Sequence, residues 1–213
     1  NCDLFLHFVF PGAATRLYAR SVEATTALEP QERANLLAHG CRYARIEGDR
    51  QAEQRWGAEA LELVDRLGLE FPPLLMFYQA FPDYDRQLAH MQRALAAAQE
   101  LRDVRSEMIC RLNITEFMRY RPGDEHVSWA EECAEYLRAF DVPVLTSPAE
   151  MMVAEALLPF DLDRALGHAT ESVAIAVASG FGQGEQCGEC LVAFIHLQAG
   201  RRAPAIRHLA PTF

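Results

Sequence analysis

Lysine is missing altogether: the 20 basic residues are all arginine, set against 30 Asp and Glu, and the formal charge is −10. A chain this acidic repels a phosphate backbone, which speaks against direct nucleic-acid contact by this segment. Also missing is any long apolar run. The stretch Leu4 to Phe10 is interrupted by His7 and ended by Pro11 and Gly12, far short of the roughly 20 apolar residues that cross a bilayer. It lacks a basic flank and a small-residue cleavage site, so it does not read as a signal peptide. There is no Ser-, Gly- or Pro-rich linker and no low-complexity tract, and one continuous domain over residues 1–213 is expected. The chain starts at Asn1 and stops at Ala210-Pro211-Thr212-Phe213, inside an expected helix, as a fragment of a longer protein would.

The motifs of common enzymes are lacking as well. No phosphate-binding Gly-rich loop, Gly-x-Ser-x-Gly elbow or His-Glu-x-x-His segment is present. Gly180-Phe181-Gly182-Gln183-Gly184 has no strand before it and reads as a loop between repeats. The carboxylate pairs Glu131/Glu132 and Asp161/Asp163 lie beside turns on solvent faces, where nothing in the spacing raises a pKa for acid–base work. Six cysteines are scattered through helical patterns and not through the loop-rich composition of a disulfide-stapled domain, so reduced thiols in a cytoplasm are expected.

What the chain does have is apolar content, half of all residues, and with it enough material for a core. Alternation with period two is almost absent, whereas period 3.6 recurs throughout. Leu88, Met91, Leu95, Ala98 and Leu101 form one stripe with polar residues opposite. The fold class is all-α. A tight turn ending in Asp, followed by an Ala-rich helix, repeats at Glu47-Gly48-Asp49, Phe81-Pro82-Asp83, Pro122-Gly123-Asp124 and Pro159-Phe160-Asp161, with Asp spacings of 34, 41 and 37; Ala199-Gly200-Arg201 is a fifth turn. Gly or Pro stops the first helix of each pair, and Asp caps the next. Eleven residues after the turn Asp stand the small residues Ala60, Ala94 and Ser172. Eight before it stand Cys41, Leu75 and Val153, with Ala193 before Arg201. The third unit fits with Thr115 and Ala134 after a one-residue slip, attributed to an extra residue in its Arg121-Pro122-Gly123 turn.

On these residues the chain resembles the tetratricopeptide repeat (TPR) family, above all over Ala34 to Leu63, with Gly40, Tyr43, Gly48-Asp49 and Ala60-Leu61-Glu62-Leu63. Leu95 to Asp103 and Asp163 to Gly180 are similar to second helices of longer, degenerate repeats. The resemblance covers roughly residues 14 to 210. It implies a right-handed α-solenoid of five to six antiparallel hairpins, of the kind found in bacterial LuxR-type and ATPase-linked regulators. Leu4 to Phe10 and Ala14 to Leu28 are expected to form the first hairpin. Phe71 to Tyr78 is expected to be an apolar helix buried on several sides.

The same resemblance implies that first helices line a concave face. The ligand-binding candidates there are Asn35, Arg42 and Arg45, then Asn113, Phe117 and Tyr120, then Phe194 and Gln198. Arg42 and Arg45, three apart, are suited to clamp a carboxylate. The expected function is a non-catalytic protein- or peptide-binding scaffold or sensor of a bacterial regulator, with no cofactor, no membrane contact and room for homo-oligomerisation. One alternative is a small-molecule-sensing domain. Another is a helical metal or redox protein using Cys187-Gly188-Glu189-Cys190, whose simpler reading is two small residues packing a first helix.

Overall fold

The computed structural model describes residues 13–24, 28–78 and 81–209. Leu4 to Phe10 lies outside the described residues. Every regular element among the described residues is a helix: ten α-helices and one 3-10 helix. The chain divides into two compact units, Asn1–Cys110 and Arg111–Phe213.

In the first unit, α1 (Ala13–Ala24) packs on α2 (Pro30–Ile46), and α2 packs on α3 (Arg50–Leu67). Tyr18 of α1 stacks on Tyr43 of α2 with ring centroids 5.0 Å apart. The α2–α3 contact is close because Gly40 faces the fully buried Trp56; a Cβ at position 40 would stand 2.9 Å from the indole. Burying a side chain of that size contributes about 1.5–3 kcal/mol.

The expected apolar helix over Phe71 to Tyr78 is instead a five-residue 3-10 helix, Pro73–Phe77. Pro72 and Pro73 are the reason, since neither supplies an amide hydrogen and Pro73 disfavours helical geometry in the residue before it. Its burial is as expected. Phe71, Leu75, Met76 and Tyr78 are in the core, and the segment packs on α2, α3 and α4 (Tyr84–Glu100). The chain continues into α5 (Val104–Met118), within which the division into units falls.

The second unit runs from there through α6 (Asp124–Arg138), α7 (Pro143–Leu157), α8 (Leu162–Ser179), α9 (Gly182–Gln198) and α10 (Arg202–Leu209). Each of α6 to α10 packs on its neighbour in sequence, and α7 also touches α9. At α7–α8 the helices meet through Ser147 and Ser172, where the Ser172 hydroxyl donates to the Ser147 carbonyl at 2.8 Å. The expected loop Gly180 to Gly184 is shorter than its composition suggests. Only Gly180 and Phe181 lie between helices, and Gly182 opens α9. Gly184 is buried beneath the Phe181 ring.

The turn aspartates cap as their positions demand. Asp49 accepts from the Ala52 amide, Asp83 from Arg86 and Asp161 from Arg164, each at 3.0 Å; a cap of this kind contributes about 1 kcal/mol. Asp124 does not. The N-cap of α6 is Gly123, and Asp124 is the first helical residue. This corrects the account of the third repeat, for no extra residue is needed. Counted from the N-cap Gly123, Thr115 is eight before and Ala134 eleven after, the same register as in the other pairs. Cys41, Ala60, Leu75, Ala94, Thr115, Ala134, Val153, Ser172 and Ala193 are all at most 1% exposed.

Two glycines separate packing from propensity. A Cβ at Gly57 would meet the Tyr78 ring at 2.4 Å, whereas at Gly167 nothing lies within 4 Å. Both are helical, so alanine gains up to about 1 kcal/mol of propensity at each. Overpacking against buried Tyr78 costs about 1–3 kcal/mol and outweighs it. Urea unfolding should therefore show Gly57→Ala destabilised and Gly167→Ala slightly stabilised; equal behaviour would refute the close approach of Tyr78 to α3.

Candidate functional site

Of the candidates on α2, Arg42 and Arg45 turn to different neighbours. Arg45 reaches across the hairpin to Glu53, a nearly buried carboxylate of α3, at 3.3 Å. An acid held off water beside a cation is a structural pair, and it draws Arg45 away from Arg42. Arg42 goes the other way. Its guanidinium carbon stands 5.5 Å from the centre of the Tyr43 ring and 5.7 Å from that of Phe77. Its Nε is buried and has no acceptor among the described residues.

Asn35 and Arg42 line the same cleft, of about 380 Å³, together with His39 from α2, the Pro72–Leu74 segment, and Arg105, Ser106 and Ile109 from α5. Its polar rim is ordered by Asp103, whose carboxylate accepts from the Ser106 amide at 3.1 Å and from the Ser106 hydroxyl. Asp103 is a fourth capping aspartate that the turn pattern did not reveal. The preceding Arg102 has a φ of 53°, an unusual left-handed conformation with no Gly or Pro to signal it.

In the second unit Asn113 and Phe117 are half-buried on α5, and Tyr120 is 70% exposed just beyond it. Phe117 and Tyr120 meet edge to face with centroids 6.2 Å apart, and Arg119 lies over the Tyr120 ring. Phe194 is 45% exposed on α9, and Gln198, its last residue, is exposed as well.

Cys187 and Cys190 are both exposed. The residues that pack α9 are Gly184, Gly188, Val192, Ala193 and Ile195, so the reading of the two thiols as packing residues is overturned. The glycines bring α9 close: a Cβ at Gly188 would meet Val173 of α8 at 2.6 Å. Among the described residues no group of three or more His, Cys, Asp or Glu is placed to hold a metal ion.

A polar cluster that periodicity did not reveal lies in the second unit. Glu150 of α7 is 1% exposed, yet it accepts from Arg138 Nε at 2.6 Å and from His168 Nδ1 at 2.8 Å. The hydrogen bond from Arg138 holds that guanidinium above its ordinary pKa. One buried acid thereby joins α6, α7 and α8, and removing a partner from such a group is costly. The surrounding cleft of about 330 Å³ also carries Arg164, which pairs with Glu131. In the first unit His90 sits among Phe71, Tyr78 and Phe81 and donates to the Leu75 carbonyl at 2.9 Å. Burial lowers its pKa and favours the neutral ring.

Comparison with known proteins finds no family model that matches the chain and no curated protein significantly similar to it.

The thiols differ sharply in accessibility. Burial pushes Cys41 and Cys110 up to about 12 and Cys133 up to about 11, which leaves almost no thiolate at neutral pH. Iodoacetamide at pH 8, followed by peptide mapping, should alkylate Cys187 and Cys190 in the native protein and spare Cys41, Cys110 and Cys133 until denaturant is added. Early labelling of Cys41 or Cys133 would show that the core is not closed as described.

Proposed function

We propose that the chain is a non-catalytic recognition module, a TPR-like α-solenoid whose first helices bind a peptide or protein segment as the sensing or scaffolding part of a larger regulator. The observation that carries this reading is the common register. A buried residue stands eight before and another eleven after the N-caps Asp49, Asp83, Gly123 and Asp161. A repeated helical pair cannot cover its apolar face alone and does so by stacking on the next copy. The contact of α7 with α9, both first helices, supports stacking of this kind in the second unit. With packing assigned to fixed positions, intervening positions of the first helices are left for recognition. Asn35, Tyr120, Phe194 and Gln198 are exposed at or beside such positions. Aromatic side chains exposed on a rigid scaffold are suited to anchor a partner. The small-molecule reading has a separate support in the α2–α5 cleft.

Selection of a displayed 12-residue peptide library on the purified chain tests the proposal. Enriched peptides should bind measurably by fluorescence anisotropy and lose roughly tenfold in affinity, about 1.4 kcal/mol, with at least one of Asn35→Ala, Tyr120→Ala and Phe194→Ala. Arg66→Ala, on α3, should leave binding unchanged. Failure to enrich any peptide, or binding indifferent to all three first-helix variants, would overturn the reading.

A further inference from the structure

We infer that the cleft between α2, the Pro72–Leu74 segment and the start of α5 is a binding site for a small monocarboxylic acid with an apolar body, separate from peptide recognition. Most cations of the first unit that approach another element are already neutralised: Arg33 pairs with Glu59, Arg45 with Glu53 and Arg93 with Asp65. Arg42 is different. It is partly buried, and its Nε–H is off water without an acceptor among the described residues. Tyr43 and Phe77 flank the guanidinium, so its planar fork is held in place before any ligand arrives. Arg42 lines the cleft, and an oxygen anion there would pair with its guanidinium.

The charge of the walls selects the kind of anion. Arg42 and Arg105 face the space with one acid, Asp103, whose oxygens are occupied by Ser106. The formal charges of these three groups sum to one positive charge, which suits a carboxylate; a dianionic phosphate would keep an unneutralised charge beside Asp103. Asn35 and Ser106 add further polar groups at the wall. The rest of the lining includes Pro72, Leu74 and Ile109, a surface for an apolar body and not for a second charge. At about 380 Å³ the cleft lies in the size range of small-molecule sites. The Glu150 cleft does not share this property, because its arginines already hold carboxylates.

Phenylacetate, its neutral counterpart phenylacetamide and the dianion benzylphosphonate separate head-group charge from apolar body. Arginine side chains are observed by ¹⁵N-edited NMR in the full chain, with the Arg42 Nε–Hε signal assigned by its loss in Arg42→Lys. Phenylacetate should move that signal saturably, and phenylacetamide and benzylphosphonate should bind at least tenfold more weakly. Arg105→Gln, an exposed substitution, should weaken phenylacetate roughly tenfold, and Arg50→Gln, outside the cleft, should not. No saturable movement with phenylacetate, equal binding of the amide, or tighter binding of the phosphonate would each overturn the assignment. Peptide selection also reads Tyr120 and Phe194, which do not line this cleft, so either proposal can fail while the other stands.

Discussion

Close approach of neighbouring helices at small side chains is the constraint on which everything else here depends. Where Gly40 meets Trp56, Gly57 meets Tyr78 and Gly188 meets Val173, no Cβ fits without displacing a neighbour. Ala60, Ala94, Ala134 and Ser172 do the same work at the repeated position on second helices. Such contacts allow dispersion to accumulate over whole helix faces, which individually tiny atom pairs could not supply at larger separation.

Two of the polar contacts between helices are centred on buried acids. Glu53 with Arg45, and Glu150 with Arg138 and His168, place an acid in the interior and bind it to a neighbouring helix. Hydrophobic burial has no directional preference, so it tolerates a helix rotated or shifted against its partner; a buried carboxylate with fixed donors does not. Pairing is thus stabilised by small residues and oriented by a few acids. Arg42 stands outside this scheme. Its guanidinium lies by the Tyr43 and Phe77 rings, with Nε lacking an acceptor among the described residues, and the carboxylate proposed for the α2–α5 cleft would be held there.

Helical content and pairing were legible because they are written in local patterns, in the 3.6 period and in the capping aspartates 49, 83 and 161. The register was legible too, but its apparent slip in the third pair came from treating Asp124 as a cap when the backbone uses Gly123. Elements whose geometry is set by exceptions were harder to read. Pro72 and Pro73 turn an apolar run into a 3-10 helix. Arg102 and Asp141 take left-handed turns without glycine, and they end helices that carry no visible stop signal. Of the recognition candidates, Asn35 and Arg42 share a cleft, but Arg45 is taken by Glu53. That distinction depends on which helix face meets α3, and a single-helix pattern cannot give it. Cys187 and Cys190 were misplaced for a related reason: adjacent Gly188 supplies the close contact, and a thiol on either side of it is turned outward.

The most direct measurement compares alanine-to-leucine substitutions at register positions with the same change at exposed helical sites. Ala60→Leu, Ala94→Leu and Ala134→Leu should each lose about 1–3 kcal/mol in urea unfolding, as overpacked cores do. Ala58→Leu and Ala89→Leu, at exposed positions of α3 and α4, should remain within about 0.5 kcal/mol of the parent. If the three register substitutions are as harmless as the exposed ones, the helices are not held by close approach at a repeated position, and the proposed stacking falls with it.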